Sequence, residues 1–386
     1  MVLSWQEDGQ PRQARWRSEA GWPVPARVQL ADDRMPADAA YRLACEGTAL
    51  LWRGDFQNAR QLLQALGRRL DRAPRKGTVV PAASTTEAFH RHRQAQGRRA
   101  RILGMVLIEI DADDGIGLRR APDLRAAIGE AWGPPDGQRC VVALREALGL
   151  VGAHEWRKKG VEIPALGPPP RNRIHPHYGV FSPVRGEYLD LVAKAPLPAG
   201  AALAWDIGTG TGVIAAVLAR RGVARIVATD LGPHALACAR DNIERLQLQA
   251  QVELLEADLF PPGTAALIVC NPPWLPAKPT SALEHAVYDP DSRMLRGFLG
   301  GLSERLAPGG EGWLVLSNLA EHLGLRSRDE LQALFAAGGL VVRDRLDIRP
   351  RHGKASDAND PLAAARGREV TSLWRLGASP TTGTFQ

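Results

Sequence analysis

Cysteine is scarce in this chain and scattered. Four occur in 386 residues, at Cys45, Cys140, Cys238 and Cys270, and none forms a Cys-x-x-Cys pair. This argues against both a disulfide framework and the usual zinc-site spacing. Long hydrophobic runs are also missing: nowhere do 18 consecutive apolar residues occur, the length a membrane-spanning helix needs. Met1 to Gln13 is polar and carries Glu7 and Asp8 where a secretory leader would need an apolar stretch. Neither secretion nor membrane spanning is expected, and a reducing cytoplasm is the expected compartment.

What is present suits a soluble globular protein. The chain is 45% hydrophobic and 24% charged, and at about 150 residues per domain its length implies two domains. The net charge of +7 is unevenly spread: residues 1–175 hold 28 Lys and Arg against 20 Asp and Glu, the remainder 21 against 22. All of the basic excess therefore lies in the first part, which favours a nucleic-acid partner there. Only six of the 49 basic residues are lysine, however, and so arginine-rich a composition also arises from GC-rich codons.

The second half alternates short apolar runs with amphipathic stretches. Strands are predicted at Ala201–Ile207, Arg225–Thr229, Gln251–Leu255, Ala265–Cys270, Gly312–Ser317, Gly339–Leu346 and Glu369–Leu376. Helices are predicted at Val213–Arg221, Pro233–Leu246, Ser292–Leu306 and Arg328–Ala337. This alternation implies βαβ units and a mostly parallel, Rossmann-like α/β sheet covered on both faces. The Pro-rich stretch 164–177 reads as a linker, because proline neither continues a helix nor donates to a ladder. It separates an amino-terminal domain, 1–163, from a domain at 178–378, followed by a tail at 379–386.

The first domain is expected to be smaller and largely helical or α+β. Residues 39–70 show two helical periodicities around Gly54-Asp55 and read as a helical hairpin, with no second copy at a 34-residue period. The arginine-rich stretch Arg68–Arg101 suits tracking phosphates or a solvated face, and Trp5, Trp16 and Trp22 fall in a leader of undetermined order.

The chemistry concentrates in two motifs. Asp206-Ile207-Gly208-Thr209-Gly210-Thr211-Gly212 joins a predicted strand to a predicted helix, so the glycines allow a tight turn with close ligand approach and the helix start offers free N–H groups. The turn alone fits either a dinucleotide or S-adenosylmethionine, since Gly210 to Ala215 satisfies the dinucleotide fingerprint and Asp230 stands where an acid would hold a ribose. Asp206 favours the second, because it would pair with a cationic amino group but repel a pyrophosphate. Acids at later strand ends agree: Asp230 for the ribose hydroxyls, with Leu231 beside it, and Asp258, followed by Leu259, for the adenine amino group.

The strand Ala265–Cys270 then runs into Asn271-Pro272-Pro273-Trp274. Two prolines fix φ and remove two N–H groups, leaving carbonyls free to accept. A planar NH2 nitrogen is a poor nucleophile. If the Asn271 side-chain oxygen and the Pro272 carbonyl accept its protons, the nitrogen can pyramidalise and aim its lone pair at a methyl group. Trp274 supplies a stacking face.

On these motifs, with Ala239-Arg240-Asp241-Asn242 and Tyr178-Gly179-Val180-Phe181-Ser182-Pro183, residues 178–378 resemble class I S-adenosylmethionine-dependent methyltransferases of the small methyltransferase group. That group includes protein-glutamine N-methyltransferases acting on release factors and guanine N2-methyltransferases acting on ribosomal RNA. The resemblance implies a seven-stranded sheet with an antiparallel last hairpin. It also implies a cofactor at Asp206, Gly208, Thr209, Gly210, Gly212, Asp230, Leu231, Asp258, Leu259 and Asn271, and a target nitrogen at Asn271–Trp274. Residues 179–182 look like the RNA enzymes, while Pro276 and the acidic stretch ending at Asp291 look like the glutamine enzymes. Both branches usually carry Tyr or Phe where this chain has Trp274.

The sequence thus predicts an S-adenosylmethionine-dependent N-methyltransferase acting on a macromolecule, with an RNA or DNA base favoured over protein. Its alternatives are a protein glutamine methyltransferase, an NAD-dependent oxidoreductase and a non-catalytic nucleic-acid-binding protein. Phe181, Arg185 and Glu187 are candidates for the substrate mouth. His352, Lys354 and Asp357 lie in a long polar loop without metal-ligand spacing, so no metal site is expected. His175 and His177 read as linker residues.

Overall fold

The computed structural model describes residues 1–72, 82–184, 186–279, 284, 286–350 and 360–380. These fall into two compact units. The first takes in residues 1–83 and 90–155, the second 84–89, 156–279 and 283–386.

The first unit is built on a mixed six-stranded sheet. Its elements are β1 (Val2–Glu7), β2 (Gln10–Trp16), β3 (Arg27–Ala31), α1 (Ala37–Cys45), β4 (Thr48–Trp52), α2 (Phe56–Leu70), α3 (Thr85–Leu103), β5 (Val106–Ile110), α4 (Arg125–Trp132), β6 (Cys140–Ala143) and α5 (Leu144–Lys159). The strands lie in the order β1-β2-β6-β5-β4-β3.

One expectation is corrected here, and one open point is resolved. The helical hairpin at 39–70 is helix-strand-helix, because Thr48–Trp52 forms β4 between β3 and β5. Every residue of β4 is buried, so it carries no alternation, and a short continuous apolar run cannot be told from a helix by periodicity. The leader is an ordered antiparallel hairpin, β1 against β2, turning at Asp8 and Gly9 with φ of 51° and 73°. An Asp-Gly pair between alternating apolar residues signals such a turn. Leu3, Trp5, Ala14 and Trp16 are buried against Leu51, Leu107 and Val141.

Several arginines of this unit pair with its own acids. Arg53 bonds to Glu7 and Glu109, and both Arg119 and Arg120 reach Asp55, whose side chain is fully buried. Within the arginine-rich stretch, Arg69 pairs with Asp38, and Arg99 holds Asp71 through two bonds of 2.9 and 3.0 Å. The segment is therefore no uniformly free phosphate track. Residues 73–81 of it lie outside the described residues.

The second unit contains β7 (Val161–Glu162), β8 (Arg173–Ile174), α6 (Glu187–Lys194), β9 (Leu203–Ile207), α7 (Val213–Arg220), β10 (Arg225–Asp230), α8 (Pro233–Arg245), β11 (Val252–Glu256), β12 (Ala265–Cys270), α9 (Arg293–Arg305), β13 (Leu306–Ser317), α10 (Leu319–His322), α11 (Arg328–Ala337), β14 (Leu340–Ile348), α12 (Ala363–Arg366) and β15 (Thr371–Ala378). The seven-stranded sheet has the order β11-β10-β9-β12-β13-β15-β14. Its first five strands are parallel, and β15 runs antiparallel to both β13 and β14. This is the sheet the resemblance implied, with its antiparallel last hairpin. Its order reverses between β9 and β12, and in open α/β sheets ligands bind outside the carboxyl ends at such a reversal.

The stretch 164–177 is not a bare linker. Leu166 and Ile174 are buried in the second unit's core with Tyr188, Val192 and Val217, and β7 pairs with β8. The division between units falls at Glu155 and Trp156. Proline content misled because the prolines flank short turns whose apolar residues point inward.

Candidate functional site

The sheet register assembles the site. Ile207 of β9 lies opposite Cys270 of β12, so the glycine turn and Asn271 leave the sheet side by side. Gly208, Gly210 and Gly212 have φ of 72°, 56° and 79°, values that L side chains rarely adopt. A Cβ at Gly208 would strike the Met294 side chain, and one at Gly212 would press on Ala239 at 3.3 Å, whereas Gly210 faces open space.

Asp206, 0% exposed, ties this turn to the helix that follows. Its Oδ2 accepts from Thr209 Oγ1 at 2.6 Å and from the Ala215 N–H at 3.0 Å. Its Oδ1 is buried with no hydrogen-bond partner among the described residues. Burial pushes this carboxyl up to about 6, against the two hydrogen bonds that favour the charged form. An unfilled acceptor thus lies beneath the turn, where a ligand's cationic group would find a counter-charge.

Asp230, at the end of β10, braces two turns at once. It accepts from the Gly210 N–H and the Gly232 N–H, each at 2.9 Å. Leu231 beside it is 56% exposed, a large apolar side chain left at the crevice rim. Asp258 is exposed and pairs with Arg293 at 2.6 Å. A surface pair of this kind contributes about 0–1 kcal/mol, so a ligand amine could displace it at little cost. Leu259 has φ 74°, and its carbonyl accepts from Thr229 Oγ1 at 2.7 Å.

At the exit of β12 the indole N–H of Trp274 donates to Asn271 Oδ1 at 2.9 Å. Trp274 is half-buried and packs against both apolar cores of the sheet. Its neighbour Leu275 accepts at its carbonyl from the Asp289 N–H at 2.9 Å, while its own N–H donates to the Val287 carbonyl. Asp289 in turn caps α9, accepting from the Met294 and Leu295 N–H groups. Asp291 and Ser292, at the end of the acidic stretch and just after it, both adopt left-handed φ, 56° and 54°.

Asn242 is a positioning residue whose role sequence reasoning left unread. Fully buried on α8, it accepts from the His175 N–H at 2.7 Å and donates to the carbonyls of Thr211 and Cys238 at 3.1 and 3.0 Å. It therefore clamps the glycine turn from behind. A polar residue on the inner face of a predicted helix was the available signal. His175 and His177 are fixed structurally, to the Arg157 carbonyl and to Asp241.

Phe181 is half-buried, and Glu187 opens α6. Arg185, His352, Lys354 and Asp357 lie outside the described residues.

Residues 172–344 match the methyltransferase small domain. The release factor glutamine methyltransferase of Cereibacter sphaeroides is 38% identical over 175 residues, covering 42% of this chain and 58% of that protein. The ribosomal protein L11 methyltransferase of Bordetella parapertussis is 30% identical over 202 residues, 50% of this chain and 56% of that protein. The chain thus spans less than three fifths of the length of these curated relatives. The solved ribosomal protein L11 methylase of Lactobacillus delbrueckii subsp. bulgaricus is 15% identical with a TM-score of 0.37, over 55% of this chain and 89% of that one. With the sheet order and the motif positions already described, the match places residues 172–344 in the methyltransferase small domain family of class I S-adenosylmethionine-dependent methyltransferases.

Proposed function

We propose that this chain is an S-adenosylmethionine-dependent N-methyltransferase whose acceptor is a planar amide nitrogen of a protein, a glutamine side chain being the best fit. The carrying observation is Asn271: the register sets it beside the glycine turn, and Trp274 fixes its carboxamide with one oxygen lone pair still free. The residues present suit the cofactor, with open space over Gly210 and an unfilled acceptor on Asp206. When bound, it supplies an electrophilic methyl group.

The chain's own residues do the rest. Asp206 offers its buried charge to the methionine ammonium, Asp230 the ribose hydroxyls, and Asp258 the adenine amine, with Leu231 and Leu259 covering the base. Asn271 Oδ1 and the Pro272 carbonyl accept the two amide protons, so the nitrogen lone pair turns toward the methyl carbon. The cofactor's sulfur would serve as the leaving group, keeping the bonding electrons. The methylated nitrogen then loses a proton to water, and no strong base is required. Trp274 and Pro273 form the surface against which the planar acceptor lies.

A protein acceptor replaces the RNA or DNA base favoured from the charge split together with an acceptor motif suited to exocyclic amines. Two observations support the change: the relatives named above are release factor and L11 methyltransferases, and some of the first unit's arginines, Arg53 and Arg99 among them, pair with its own acids. The first unit serves, in this proposal, to recognise that protein.

The test is incubation of the chain with methyl-labelled cofactor and fractionated bacterial lysate. Label that survives nuclease and is released by protease supports the reading; nuclease-sensitive label, or transfer undiminished by Asn271→Ala, refutes it.

A further inference from the structure

Arg326 stands between α10 and α11 and is only 6% exposed, yet its Nε and Nη2 have no hydrogen-bond partner among the described residues. A guanidinium stays charged at any pH a protein survives, so burying it unpaired is costly and calls for an explanation. The acids whose field it feels are Glu321, Glu330 and Asp289. All three are engaged elsewhere. Glu321 accepts from Arg328 at 3.1 and 3.0 Å, Glu330 closes the cap on the Ser327 N–H at 2.6 Å, and Asp289 holds the start of α9.

Its place in the fold gives the vacant donors meaning. Leu325, the preceding residue, packs on an apolar cluster that includes Leu275, Phe89, Leu319 and Tyr288. Leu275 directly follows Trp274, and Tyr288 is its bridge partner. Arg326 therefore lies near the segment of Leu275 and Tyr288–Asp289, and Leu275 is next in the chain to Trp274.

We propose that Arg326 is a binding site for a carboxylate of the protein substrate, close to the residue that is methylated. This rests on the protein-acceptor reading above. The chemistry favours a carboxylate because the planar fork with two vacant donors matches its two oxygens, and one negative charge balances one guanidinium. Apolar neighbours strengthen such a pair by excluding water. The site would select acceptors carrying an acidic residue near the target amide.

The test uses the full chain without cofactor, thermally denatured in chloride-free buffer with rising glutarate or, separately, inorganic phosphate at matched ionic strength. The expected result is a saturable rise of several degrees in Tm with glutarate, exceeding that with phosphate. Arg326→Met should raise the Tm in anion-free buffer, because an unpaired buried charge is gone, and should abolish the glutarate response. Arg326→Lys should retain a weakened one. No saturable rise in the wild type overturns the proposal, as does a stronger response to phosphate, which would assign the site to a phosphate instead. An Arg326→Met variant that is equally destabilised with and without glutarate also overturns it, by showing that the fold itself satisfies the guanidinium. Binding of labelled S-adenosylmethionine, measured in parallel, keeps the outcomes separate: its loss in the wild type refutes the methyltransferase reading without touching the anion result.

Discussion

The indole N–H of Trp274 holds Asn271 Oδ1 at 2.9 Å, three residues back along the same proline-stiffened segment. A phenyl or phenol ring at position 274 has no donor at that place. The bond sets which way the carboxamide faces before any acceptor arrives, and it uses one of the two lone pairs of Oδ1. In the proposed reaction the other accepts from the target amide.

Replacing that donor should therefore separate positioning from stacking. Trp274→Phe keeps an aromatic face but loses the bond, a loss of about 1 kcal/mol, or roughly fivefold in rate. The expected outcome is a several-fold lower kcat for methyl transfer with cofactor affinity unchanged. An unaltered kcat would show that Asn271 is oriented by other contacts.

Asp206 should leave a mark on stability against pH. Its folded value of about 6 lies above its ordinary value of 3.8, so between these limits the folded chain binds more protons than the unfolded one. The group's contribution is present in full below about pH 4 and is lost as pH rises through 6, a change of about 3 kcal/mol. Asp206→Asn should remove that component and flatten the curve of Tm against pH relative to wild type. It should also abolish cofactor binding, and parallel wild-type and variant curves would contradict the assignment.

Gly208 is doubly constrained, by φ of 72° and by the Met294 side chain against its missing Cβ. Gly208→Ala should lower the Tm and eliminate cofactor binding. Adding Met294→Ala should recover part of the Tm, because the collision is relieved, while the left-handed backbone still penalises alanine by about 1–2 kcal/mol. Calorimetry of the single and double variants checks this. Full recovery in the double variant would exclude a backbone contribution.

Asn242→Ala should cost about 2–4 kcal/mol, since it strips partners from the His175 N–H and the Thr211 carbonyl at a fully buried position. Thr211 belongs to the glycine turn, so weaker cofactor binding should accompany the loss of stability. Equilibrium unfolding in urea and a cofactor titration measure the two effects, and stability loss with intact affinity would confine Asn242 to the core.

How much was legible in advance depended on how local the information was. Between Leu203 and Ala378 the predicted strands and helices stand within a few residues of their expected bounds, because each carries its own periodicity and its own glycine or proline stops, except that β13 begins six residues early and the short helices α10 and α12 were not foreseen. Asp206, the three glycines, Asp230 and Asn271–Trp274 were readable because a strand end, a tight turn and a proline pair are fixed by short stretches of chain. In the first unit the same reasoning failed at Thr48–Trp52, which is strand only because β3 and β5 flank it.

The amino-acid order by itself determined the parallel sheet, the glycine turn and the acceptor motif, since backbone sterics and side-chain period act over a few residues. Tertiary structure alone decided that Trp274 turns its N–H to Asn271 and that Asn242 reaches Thr211, and it left Asp206 Oδ1 and Arg326 Nε and Nη2 without hydrogen-bond partners among the described residues. Each of these depends on which groups meet after distant segments pack, and on which groups packing has cut off from water.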